Sequence, residues 1–231
     1  MNLVALLRYD ARRVGRWLLL APVLLTAAVA AGGALVARSP HDGTVPHALL
    51  FAVEMAIPLA AGVGVASAVG RDPAVELQLT MPVAYRITVF RRCALTAAAS
   101  CLVAIAVCGA LVVTGWWARW PRTHGVLLGQ LTWVAPVCWL AGLGLAAGAA
   151  LRSPAAAAAV AAAPWLADQV LPDQVQAHHW SRLLYLFATT EGRDADWEPN
   201  RLVLLGSSVA LVTVAWILLG RPERLLGGEA E

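Results

Sequence analysis

The chain has 231 residues, of which 60% are hydrophobic and 13% are charged, and this balance excludes a soluble protein with a water-facing surface. All 17 basic residues are arginine, so the chain has no P-loop lysine and no Schiff-base lysine, and it is not expected to hydrolyse ATP by itself. The arginines behind the net charge of +3 gather at the ends of apolar runs, which is typical of a protein that binds membrane lipid and not nucleic acid.

The apolar runs predict an all-α fold, a polytopic membrane helix bundle with six transmembrane helices. About 20 helical residues are needed to cross the hydrocarbon core of a bilayer. The predicted spans are residues 17–37, 48–69, 93–115, 125–151, 154–170 and 201–220. We expect residues 1–231 to form a single transmembrane domain, and we expect the first span to be retained rather than cleaved as a signal peptide.

The orientation follows from the arginines. Most of them lie on one side of the bundle if both termini are cytoplasmic, and the positive-inside rule favours that topology. Five tryptophans then fall at outer ends, where an interfacial belt is expected: Trp116, Trp117, Trp120, Trp180 and Trp197. The absence of lysine and the richness in alanine indicate a GC-rich bacterium, so the predicted location is the bacterial cytoplasmic (inner) membrane.

Residues 1–16 precede the first span and have the pattern of an interfacial helix. Arg8, Arg12 and Arg16 recur every four residues, and leucines gather on the opposite side of the helix. Such a helix lies along the inner membrane surface with its arginines toward anionic headgroups. A disordered basic start that only sets the orientation is the alternative.

Two carboxylates lie inside predicted spans, Glu54 in the second and Asp168 in the fifth, and each has a proline four residues away, Pro58 and Pro164. Pro58 cannot donate to the carbonyl of residue 54, so a kink is expected there. Counted from the inner ends, the two acids have about the same depth. Intramembrane acids are functional candidates, so we predict that these four residues line a substrate path. The alternatives are that Asp168 lies at the outer interface and that Glu54 is protonated or hydrogen-bonded to a neighbouring helix.

The segment between the second and third spans predicts a short cytoplasmic helix over about 73–81. Asp72 is a plausible N-cap, Pro73 fits the first turn, and Pro82 ends the helix. Three apolar side chains lack an obvious burial partner on this side of the membrane: Leu77, Leu79 and Met81. Exposed apolar residues on a capped helix favour a docking surface for another protein. An interfacial helix against lipid is the alternative.

Residues 171–200 form a long outer connection with an apolar patch at residues 183–187. A loop of this length and composition is rarely a passive connector. We predict an outer re-entrant segment that dips into the outer leaflet as one or two short helices and is shielded by protein.

Catalytic and metal-binding motifs are absent from the sequence. The four cysteines lie in apolar runs without a CxxC pair and are expected to be core residues. His178 and His179 are adjacent, so they point in different directions on a helix, and neither HExxH nor GxSxG occurs. We therefore predict no catalytic residue and no metal site in this chain.

The order of these parts, together with the stretch Glu76-Leu77-Gln78-Leu79-Thr80-Met81-Pro82-Val83, resembles the membrane permeases of ABC exporters of type V fold, the ABC type 2 family. The resemblance covers nearly the whole chain in layout. It departs from the family pattern at residues 71–74, where a Gly-Thr pair more often precedes the glutamate.

This resemblance implies that residues 73–81 are a coupling helix seated in a cleft of the ATPase subunit. The implied contact residues are Asp72, Val75, Glu76, Leu77, Leu79, Met81 and Pro82. It also implies two cytoplasmic ATPase subunits, a second permease that is the same chain or a homologue, and no cofactor in this chain, with ATP and Mg on the partner subunit. The expected function is outward movement of an amphipathic or lipid-like compound by the transmembrane subunit of an ABC exporter, which is not itself an enzyme.

Two other functional classes remain open at this point. One is a small integral membrane enzyme or a non-transporting membrane scaffold. The other is a proton-coupled secondary carrier, which only Glu54 and Asp168 support and for which the expected two-fold hydropathy symmetry is missing.

Overall fold

A computed structural model describes residues 3–38, 43–69, 85–119, 124–151, 153–191 and 194–220. Within these ranges the regular elements are helices, with no strand, and the predicted all-α class is confirmed. The α-helices are α1 (Leu3–Val14), α2 (Arg16–Val36), α3 (Thr44–Phe51), α4 (Ile57–Val69), α5 (Tyr85–Val113), α6 (Leu131–Leu151), α7 (Pro154–Val170), α8 (Pro172–Ala177), α9 (His179–Arg182) and α10 (Trp197–Leu219). A π-helical turn, Ala52–Ala56, joins α3 to α4.

Five helical stretches in the described ranges are long and apolar enough to cross a membrane, as in a multi-pass membrane protein. They are Arg16–Val36, Thr44–Val69, Tyr85–Val113, Leu128–Leu151 and Trp197–Leu219. Each overlaps one of the predicted spans. Helix α7 overlaps the remaining predicted span and has 17 residues, or about 26 Å of helix.

Two of these stretches form the centre of the bundle. Of the 18 most apolar consecutive residues in Thr44–Val69, 72% are buried inside the protein. The corresponding share for Leu128–Leu151 is 61%. Their helices α4 and α6 touch backbone to backbone, because a Cβ at Gly144 would lie only 2.3 Å from the carbonyl oxygen of Gly62. Glycine at position 144 therefore sets the distance between the two central helices.

The kink predicted beside Pro58 takes the form of the π-turn. Proline has no N–H for the usual bond to the carbonyl four residues earlier, so the regular α-helical pattern is interrupted at Glu54. Within the turn the N–H of Ile57 reaches the carbonyl of Ala52, five residues back. All five residues of the turn are buried, so this irregular backbone faces protein.

Helix α1 is held against the start of α5. Gly15, with φ of +90°, allows the chain to change direction between α1 and α2. The fully buried carboxylate of Asp10 on α1 accepts hydrogen bonds from the Arg91 side chain on α5, including one from Nη2 at 3.1 Å. Helix α5 begins at Tyr85, eight residues before the predicted span, because its charged first turns continue the helix beyond the apolar run.

The described parts of residues 171–200, the predicted outer connection, are called the outer segment below and pack into the bundle. The segment contains α8, α9, a series of turns up to residue 191 and a 3₁₀ turn, Asp194–Asp196. The side chains of residues 185–188 are buried together with Met55, Trp139, Leu140 and Trp197. Within the apolar patch of residues 183–187, Tyr185, Leu186 and Phe187 are therefore covered by protein, whereas Leu184 is exposed.

Candidate functional site

The structure describes four of the predicted site residues and does not describe the others. Glu54 lies on the π-turn, Pro58 follows at the start of α4, and Pro164 and Asp168 lie on α7. The residues of the predicted coupling helix lie outside the described residues: Asp72, Val75, Glu76, Leu77, Leu79, Met81 and Pro82.

Glu54 is completely buried and binds the outer segment through both carboxylate oxygens. The backbone N–H of Thr189 donates to Oε1 at 2.7 Å, and the N–H of Thr190 donates to Oε2 at 2.8 Å. The π-turn helps to place this carboxylate, because it shifts residues 52–56 out of the regular α-helical register. Glu54 thus holds two consecutive N–H groups of a turn that is far away in the sequence.

Arg201 on α10 is the charge partner of Glu54. Its guanidinium is also fully buried, and Nη2 donates to Oε1 of Glu54. The other terminal nitrogen, Nη1, donates to the carbonyl of Leu186 at 3.1 Å. Opposite charges that are buried together cancel, so the pair adds no net charge to the interior.

Thr189 joins the ion pair to one further helix, α6, and to a second residue of α10. Its hydroxyl accepts from Nη2 of Arg201 and from Nε1 of Trp197, each at 2.9 Å, and donates to the hydroxyl of Thr132 on α6 at 3.2 Å. A hydroxyl has one donor and two acceptor positions, so this one is fully used. We call Glu54, Thr132, Thr189, Trp197 and Arg201 the anchor cluster.

Asp168 binds the same turn from a different helix. It is 5% exposed, and Oδ2 accepts the backbone N–H of Leu186 at 2.9 Å. Two carboxylates from separate helices therefore hold N–H groups three or four residues apart in one turn. Their equal depth in a membrane stays a prediction.

Neighbouring contacts hold the outer segment together and join α7 to the π-turn. The side-chain amide of Asn200 donates to the carbonyls of Arg182 and Tyr185, each at 2.8 Å. The Tyr185 hydroxyl donates to Glu191 at 3.1 Å. Burial, followed by the charge of Glu191, raises the pKa of Tyr185, so the phenol stays protonated as this bond requires. Trp165 on α7 donates to the carbonyl of Met55 in the π-turn at 3.1 Å.

A separate groove of about 400 Å³ opens between α5, α6 and α10. Its lining is apolar and includes Phe90, Cys101, Cys138 and Val209. Neither carboxylate lines it, nor do Pro58 and Pro164. The contacts of Glu54 match the alternative in which a neighbouring segment binds this acid, and its role in a substrate path stays a prediction.

Sequence reasoning missed the partners of Glu54. Arg201, the first residue of the last predicted span, is buried inside the bundle. Trp117 and Trp197, expected in an interfacial belt, are buried as well, whereas Trp180 is exposed. The available signal was charge balance, because a glutamate in the second span requires a cation or strong donors near its depth. Cys138 also differs from expectation, since it is exposed.

Metal binding has no support in the described part of the chain. No group of three or more histidine, cysteine, aspartate or glutamate side chains there could hold an ion. No family model, curated protein or solved structure matches the chain.

Proposed function

We propose that this chain is the transmembrane subunit of an ABC exporter, which moves an amphipathic or lipid-like compound outward while a separate subunit hydrolyses ATP. The observation that carries the proposal is the order of the helical parts. A short helix rich in arginine comes first, then membrane-length helices, then an outer segment folded back between α7 and α10. This order matches the layout of type V exporter permeases.

In this proposal the bundle has six spans, with α7 as the fifth. The 26 Å of α7 is close to the roughly 30 Å of a hydrocarbon core. Both termini are cytoplasmic and the membrane is the inner membrane of a bacterium, as the arginine distribution favours. The outer segment then lies at the outer end of the bundle, where its buried residues 185–188 enter the protein interior as a re-entrant segment.

The anchor cluster has a structural task in this function. It joins the π-turn of the second span, the start of α10 and the outer segment through one buried ion pair and several hydrogen bonds. Because the outer segment covers the ends of several helices, a fixed attachment keeps the outer end of each permease closed. Substrate would then pass between this permease and a second one, which is the same chain or a homologue.

Energy enters from the cytoplasmic side in this proposal. Residues 73–81 form the coupling helix, with Glu76 at its centre, and each permease binds one of two ABC ATPase subunits that hold ATP and Mg. The contact between the buried Asp10 and the partly exposed Arg91 supports this arrangement, because it fastens α1 to the first turns of α5, close in sequence to the coupling segment. Movement of the coupling helix would therefore carry α1 and α5 together.

Replacing Glu76 by arginine tests the proposal. The variant should insert and fold normally but retain much less ATPase during affinity purification, because only a cytoplasmic docking surface changes. The matched control is Glu198→Arg, which makes the same charge reversal at an exposed residue near the start of α10. ATPase binding and transport at wild-type levels in the Glu76 variant would remove residues 73–81 from the coupling role. A wild-type chain without any ATPase partner would favour the membrane enzyme or scaffold.

A further inference from the structure

We propose that the groove between α5, α6 and α10 binds one anionic phospholipid, with an acyl chain in the groove and the phosphate on Arg86. This site shares no residue with the anchor cluster, and it does not depend on the transporter proposal. The inference rests on the shape of the groove, on its lining and on the charged pair at its end.

The groove has the dimensions of a hydrocarbon chain. Along α5 its lining runs from Phe90 to Cys101, which is about 16 Å at 1.5 Å per residue. One leaflet of the hydrocarbon core is about 15 Å thick. An extended acyl chain of one leaflet therefore matches the groove in length.

The lining offers few polar groups to a ligand. Among the described residues that line the groove, none is charged. The two hydroxyl groups in α10 are already bonded to their own helix. Ser208 donates to the carbonyl of Leu205 at 2.7 Å, and Thr213 donates to that of Val209 at 2.8 Å. An apolar chain is therefore the ligand that loses the fewest hydrogen bonds with water when it enters the groove.

The positively charged side chain of Arg86 lies at one end of the groove. Arg86 lies one helical turn before Phe90 on α5, and its guanidinium carbon is 4.4 Å from the centre of the Trp216 ring on α10. Phe90 meets the same ring edge-on, with centroids 5.0 Å apart. Phe90 thus lines the end of the groove nearest Arg86, and Arg86 lies about 6 Å further along the helix axis, beyond the apolar lining.

The position of Arg86 suits a phosphate. Its guanidinium face rests on the indole, which leaves N–H groups at the edge for a bidentate contact with phosphate oxygens. Within the described chain no carboxylate lies within ion-pairing distance of Arg86, unlike Arg91, which pairs with Asp10. The positive charge at the end of an apolar groove therefore favours an anionic headgroup over a zwitterionic one.

Native mass spectrometry of the purified full-length chain tests this site. The protein is exchanged into mixed micelles that contain equal amounts of phosphatidylglycerol and phosphatidylcholine of the same chain length. Wild type should retain one phosphatidylglycerol in preference to phosphatidylcholine, and Arg86→Gln should lower that preference about fivefold, as expected for one arginine near the headgroups. The matched control is Arg119→Gln, because Arg119 stacks on Trp116 at the same 4.4 Å but does not lie at the groove.

A second pair of variants tests the acyl-chain part. Ala97→Trp should fill the groove and reduce retention of both lipids, whereas Ala98→Trp places the same ring on the adjacent exposed position outside the groove and should not. Equal retention of the two lipids by wild type, or unchanged preference in Arg86→Gln, would overturn the headgroup assignment. Equal lipid retention by the two tryptophan variants would overturn the placement of the acyl chain in the groove. Loss of a dimer in Ala97→Trp without loss of lipid would assign the groove to a second copy of the chain.

Discussion

The ion pair between Glu54 and Arg201 gives the sharpest test of the anchor cluster. Both side chains are completely buried, so removing either charge leaves the other in the protein interior without a counterion. Breaking a buried pair in this way costs about 3–5 kcal/mol. Glu54→Gln should reach the upper part of this range, because it also replaces one acceptor of the Thr189 and Thr190 N–H groups by a donor.

The loss should be visible in thermal unfolding. For a chain of this size 1 kcal/mol corresponds to roughly 2–4 °C, so Glu54→Gln and Arg201→Gln should each lower Tm by on the order of 10 °C in the same detergent. The matched control is Arg182→Gln. Its ion pair with Asp196 has an N–O distance of 2.9 Å but is partly exposed, and such pairs contribute about 0–1 kcal/mol.

The double variant shows whether Glu54 and Arg201 stabilise the fold as an interacting pair or independently of each other. Glu54→Gln combined with Arg201→Gln leaves no buried charge, so it should be less destabilised than the sum of the single variants by about 1–3 kcal/mol. Hydrogen exchange gives the local readout, since the amides of Thr189 and Thr190 should exchange faster in Glu54→Gln. The amide of Leu186, which Asp168 holds, should respond mainly to Asp168→Asn. Strictly additive losses, or unchanged exchange at residues 189 and 190, would refute the anchoring role.

Two further predictions concern topology and packing. In a cysteine-free background, single cysteines at Asp42 and Glu191 should react with an impermeant thiol reagent from outside intact cells, and one at Glu76 should not; labelling at position 76 would reverse the orientation. Gly144→Ala should lower Tm by several degrees because its Cβ meets the opposite helix backbone, whereas Gly206→Ala, which meets nothing within 4 Å, should be neutral or mildly stabilising. Equal Tm values for the two alanine variants would show that α4 and α6 can move apart at little cost.

Local features were predictable from the sequence because their causes are local. The span around Glu54 and the interruption beside Pro58 follow from an apolar run and a missing N–H, and both occur in the structure. Helix α5 begins eight residues before the predicted span because charged residues such as Arg91 continue a helix outside an apolar run.

The anchor cluster could not be predicted because its members are brought together only by the tertiary fold. Glu54 and Arg201 are separated by 147 positions, and nothing near either residue in the sequence specifies the partner. The N–H groups of Thr189 and Thr190 are invisible to residue-type patterns, since any residue supplies a backbone donor. Charge balance could have suggested Arg201 as the partner of Glu54. Other arginines at the ends of the predicted spans were equal candidates, because only the tertiary fold brings Arg201 to Glu54.

Affinity purification of the wild-type chain from its native membrane, followed by mass spectrometry and an ATP hydrolysis assay, tests the proposed transport function most directly. The proposal predicts that a protein with Walker motifs co-purifies in equal amount with the chain and that the complex hydrolyses ATP in the presence of Mg. A chain that purifies as an intact bundle, without any nucleotide-hydrolysing protein and without activity, would contradict it.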